Sequence, residues 1–71
     1  MKRLYYCYVI HAGEQVYDRA AQTAAERDSA LNSMLAHVHN PDMILVGTVR
    51  ADDVNSALVR VRQGDWDFTK R

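Results

Sequence analysis

The chain contains one cysteine, Cys7, so no internal disulfide can form, and with one proline and three glycines it has few places where regular structure must stop. It also has no excess of charge. Nine basic and nine acidic side chains cancel, which removes the long-range field that draws a protein to nucleic acid or to an anionic membrane. No run approaches the roughly 20 apolar residues that a membrane span requires. Met1-Lys2-Arg3 ahead of an apolar stretch has the outline of a secretory leader, but the stretch is short, carries three tyrosines and is followed by no small-residue cleavage site. The expectation is a cytoplasmic protein with no membrane contact, and a thiol without a mate fits a reducing compartment.

Residues 1–71 show no repeat, low-complexity tract or linker, and are read as a single domain. A domain of this size buries only about 60% of its unfolded surface. With no disulfide to help, self-association is the expected aid to stability. Local charge is uneven but mild: residues 14–42 set Arg19 and Arg27 against Glu14, Asp18, Glu26, Asp28 and Asp42.

What is present begins with Leu4–Ile10, apolar or aromatic on both alternating faces: Leu4, Tyr6, Tyr8 and Ile10 one way, Tyr5, Cys7 and Val9 the other. This is a central strand. His11-Ala12-Gly13-Glu14 permits a tight reversal at Gly13. Gln15–Ala21 then follows as a second strand, with Val16 and Ala20 on one side and Tyr17, Arg19 and Ala21 on the other; a helix unbroken from Gln15 to about His37 is the rival reading. Thr23-Ala24-Ala25-Glu26 has the capping-box pattern, and Ala24, Leu31, Met34, Leu35 and Val38 fall on one helical stripe that ends near His39, before Asn40-Pro41. Arg27 within that stripe either lays its stem on apolar surface with its head in water or pairs with a carboxylate.

Met43–Val49 is a second strand apolar on both faces, belonging beside the first. Gly47 inside it marks a bulge or a close approach of another backbone or bulky side chain. Asp52 is the expected N-cap of a second helix with Val54, Ala57, Leu58 and Val61 on one stripe and Gly64 as its stop; a strand over 57–62 is the alternative. Trp66 and Phe68, two apart in the tail, must bury against the core or a partner.

The implied architecture is an α+β fold, β-β-α-β-α: a three-stranded antiparallel sheet in order 2-1-3 with both helices on one face. The other face would then expose aromatics that a monomer rarely tolerates. The functional expectation is accordingly a non-catalytic protein–protein interaction module, a small regulator or inhibitor. It would dock an aromatic surface on a second copy of itself, as a homodimer, or on a larger protein. Tyr6, Tyr8, Tyr17 and Trp66 would anchor it, with Arg60 and Arg62 on the rim. The alternative is an accessory protein for single-stranded nucleic acid, stacking bases on the same aromatics with the C-terminal basic residues on phosphates.

No enzyme, cofactor or metal is expected. His37 and His39, two apart on a helix, point away from one another. Cys7 sits among aromatics, where desolvation suppresses the thiolate. Asp52/Asp53 and Asp65/Asp67 read as a helix start and a solvated tail.

Overall fold

The computed structural model describes residues 1–71. Its centre is β1 (Arg3–Ala12), which pairs antiparallel on one side with β2 (Gln15–Ala21) and on the other with β3 (Met43–Ala51). Gly13, at φ 60°, occupies the first position of the two-residue β1–β2 loop, where a type II′ hairpin takes glycine. That turn is fastened from outside: the Gly13 N–H donates to Asp42 Oδ2 at 2.7 Å, and the Asp42 N–H donates to the His11 carbonyl at 2.7 Å. The hairpin reading of Gln15–Ala21 and the assignment of β3 beside β1 both hold.

The sheet has four strands, not three. Asp67–Lys70 forms β4, antiparallel to β3, and the order is β2-β1-β3-β4. The tail is therefore part of the sheet, because Gly47 leaves room for it. A β-carbon at Gly47 would lie 2.6 Å from Phe68 Cα and 2.7 Å from the Asp67 carbonyl carbon. The backbone of β4 passes across the position that any other residue would fill, so the close approach read from Gly47 is that of a neighbouring backbone.

The helices also depart from expectation: they lie on opposite faces of the sheet. α1 (Ala24–Leu35) packs Leu31 against Tyr8 and Ile10, with Val38 of the following turn; α2 (Val54–Arg62) packs Ala57 and Val61 against Tyr5, Cys7, Val9, Val49 and Ala51. The reason lies in β1. Its two faces are both apolar, one helix can bury only one of them, and β2 and β3 run parallel across β1, so the β2–α1–β3 crossover commits α1 to a single side. The chain covers its own second face with α2, and the bare aromatic face expected from the sequence does not exist.

Local signals set the helix ends. Thr23 accepts from the Glu26 N–H at 3.1 Å as the N-cap of α1. α1 ends at Leu35, a turn earlier than expected, and Asn40 takes a left-handed φ of 54° before Pro41. The N-cap of α2 is Asp53, not Asp52: its carboxylate accepts from the Ser56 N–H at 2.7 Å, which holds it below the usual carboxylate range. At the other end the Asp65 N–H reaches the Arg60 carbonyl and the Gly64 N–H reaches that of Val61, a Schellman closure with Gly64 at φ 77°.

Arg27, on the inner side of α1, is 15% exposed and does not snorkel. Its guanidinium donates to Asp28 Oδ1 at 3.0 Å and to the Gly47 carbonyl at 3.3 Å, and lies 5.8 Å from the centre of the Tyr6 ring. A cation this close to a core needs such partners, because an unpaired charge there would be costly.

Candidate functional site

The six residues expected to form a docking surface divide between the two faces. Tyr6, Tyr8 and Tyr17 share one face, in register opposite Thr48, Val46 and Ile10 respectively, but α1 covers it. Tyr8 is 2% exposed and belongs to the core; Tyr17 packs at that core's edge, and Tyr6 lies half-buried beneath Arg27. Trp66 is on the opposite side, packed against the α2 cluster and stacked on Phe68 with ring centroids 5.0 Å apart. Arg60 and Arg62 are tied internally. Arg60 bonds Asp65 at 3.0 Å and the Arg50 carbonyl, and Arg62 grips Asp18 in a two-pronged pair at 2.9 and 3.1 Å, which raises its pKa further. The pair clamps the end of α2 to β2.

What the fold assembles instead is a groove between α1 and the outer edge of β2, of about 710 Å³. One wall is the helix stripe Ala25, Ser29, Ser33, continued by His37 just past the helix end; the other is Arg19, Ala20 and Ala21 of β2. A spacing of four puts the helix residues in line. Their small size keeps the groove open where larger side chains would close it. β2 terminates the sheet, so its outer row of backbone N–H and C=O groups is unpaired along the groove.

Tyr8 reaches this groove from beneath. Its hydroxyl has no hydrogen-bond partner in the chain, and because no fully enclosed side-chain polar atom is left without one, the oxygen keeps contact with the groove. Burial pushes its phenol above the ordinary value of 10, partly offset by Arg19 directly across the strand pair. At neutral pH it is therefore a protonated donor. Arg19 makes no ion pair within the chain. The sequence carried one signal of this groove, the recurrence Ala25, Ser29, Ser33, His37. It is invisible to a search for apolar stripes because its residues are small and polar.

No group of three or more His, Cys, Asp or Glu stands close enough to share a metal ion. Cys7 is wholly buried and its thiol is pushed up to about 11, chiefly by desolvation. No helix is long and apolar enough to cross a membrane. Comparison of the chain with protein-family models, with curated proteins and with solved structures finds no match to any of them.

Proposed function

We propose that this protein is a non-catalytic protein–protein interaction module, a small cytoplasmic regulator or inhibitor that docks on a larger protein through the groove between α1 and β2. The observation that carries the reading is an unpaired strand edge running beside a groove of small residues, with the hydroxyl of an otherwise buried tyrosine, Tyr8, open to the groove at its base. Strand addition of this kind is a recurring mode of peptide recognition: the main chain supplies affinity and alternate side chains supply choice. A larger protein is favoured over a second copy because each sheet face already carries a helix, so no bare face calls for a twin. The nucleic-acid alternative draws no support from Tyr8, whose ring is in the core, or from Arg60 and Arg62, whose charges are held by Asp65 and Asp18.

The test is a selection of random linear peptides displayed on phage against the wild-type chain and against Ser29→Trp, which fills the groove. Peptides enriched on the first and lost on the second are expected. Enrichment that Ser29→Trp leaves untouched, or none at all, would remove the groove as the docking surface.

A further inference from the structure

The groove is not chemically uniform. Glu26 lies at the end next to Ala21, in the first turn of α1, while Arg19 and His37 line the remainder together with the hydroxyls of Ser29 and Ser33. No carboxylate lines the part between Tyr8 and His37. Tyr8 and Arg19 are opposite one another in the β1–β2 register and point to the same face, so a phenolic donor and a cation line the same groove beside the free edge of β2. Neither is spent inside the chain: the hydroxyl makes no hydrogen bond and the guanidinium forms no ion pair. The guanidinium can only donate and the protonated phenol has a proton to donate, and a carboxylate accepts from both.

Building on the interaction-module reading above, we infer that the groove's occupant is an extended peptide segment of the partner, added to β2 as a fifth strand, with an acidic side chain seated at Tyr8 and Arg19. Alternate side chains of an added strand point to the same side, so those flanking the acid at two-residue spacing face the Ala25–Ser29–Ser33 stripe and are limited in size by the helix wall. A basic residue at the central position would meet Arg19 instead, and like charges facing across a strand pair are disfavoured. The Arg19 end of the groove thus chooses by charge, and the helix wall by size.

Two acetylated and amidated heptapeptides test this, Thr-Val-Thr-Glu-Thr-Val-Thr and the same peptide with Lys for Glu, titrated into the isotopically labelled full chain and followed by the amide resonances. The glutamate peptide is expected to shift β2 and the Ala25–Ser33 stretch, and to bind about fivefold tighter than the lysine peptide, the scale of one exposed ion pair. Arg19→Gln should bring the two within about twofold of each other. Tyr8→Phe should weaken the glutamate peptide by roughly two- to fivefold, with the rest of the spectrum unmoved. Raising salt should erode the preference. Equal binding of both peptides at β2 would overturn the acidic-peptide assignment while leaving strand addition in place. Shifts from neither would overturn the proposal, and the display selection would still decide separately whether the groove docks anything.

Discussion

Replacing Gly47 with alanine adds one methyl group and pits two predictions of opposite sign against each other. On conformational grounds alone, alanine should stabilise a strand by roughly 0.5–1 kcal/mol relative to glycine. The structure demands the reverse. The new carbon would lie 2.6 Å from Phe68 Cα and 2.7 Å from the Asp67 carbonyl carbon, against ordinary carbon contacts of about 3.5–4.0 Å. The obstacle is backbone, the Asp67 carbonyl oxygen nearest of all, so no rotamer change relieves it, and β4 must retreat by more than about 1 Å or leave the sheet. Overpacking of this kind costs about 1–3 kcal/mol. A loss of about 2 kcal/mol in a domain of this size lowers the melting temperature by roughly 8–16 °C. Trp66 is the only tryptophan and stacks on Phe68 of β4, so its emission reports the strand directly. Gly47→Ala should shift that emission to the red before global unfolding. The β4 amides, and that of Arg71, which donates to the Ile44 carbonyl at 2.7 Å, should lose exchange protection while β1 and β2 keep theirs. A melting temperature equal to or above wild type, with Trp66 emission unchanged, would refute the packing argument.

Arg62→Gln should lower the urea midpoint only slightly, because Asp18 is sheltered at 13% exposure but Arg62 is 61% exposed and screened by solvent; a large fall in the midpoint would mean that the clamp governs the docking of α2. Cys7, with its thiol at about 11, holds about 0.1% thiolate at pH 8 and lies out of reach, so labelling by a disulfide reagent should wait on unfolding; labelling at the rate of a free thiol under native conditions would contradict the core assignment. Asp53 is held below the usual carboxylate range by the Ser56 N–H. Its stabilisation is thus present above the ordinary carboxyl value and is lost as pH falls through the lower, folded-state value. Asp53→Ala should therefore melt below wild type at pH 7, with the gap closing at strongly acid pH; a gap that stays constant with pH would show that the cap's charge plays no part.

Much of the fold was legible because it depends on near neighbours. The alternation of Leu4–Ile10 and Met43–Val49, the reversal at Gly13, the Thr23 cap and the Gly64 stop are each decided by a few consecutive residues and their backbone preferences. The Gln15–Ala21 hairpin reading survived poor strand formers because Tyr17 and Ala21 gain burial against β1, and tertiary packing overrides propensity of that size. The candidate site was largely hidden. Tyr8 stood out as an aromatic anchor in the sequence, yet the residue is 2% exposed and its ring went to the core. Arg60 and Arg62 looked like rim charges until folding brought Asp65 and Asp18 to them. Arg19, Ser29, Ser33 and His37 carry no pattern that marks an apolar face, and they become a groove only when a helix and a strand edge lie side by side.

By itself, then, the sequence determined β1 as the centre of the sheet with β3 beside it, since strands apolar on both faces must be covered on both, while the choice between strand and helix at 15–21 and at 57–62 was left to packing. It also determined the absence of disulfides and the cancelling charge. Tertiary structure alone decided the placement of the helices on opposite faces, the recruitment of Asp67–Lys70 as β4 across Gly47, the internal partners of Arg27, Arg60 and Arg62, and the opening of the groove at β2. The physical reason is common to these: each depends on residues 5 to 44 positions apart meeting through space, where burial of both faces of one strand, and not any local preference, sets what lies beside what.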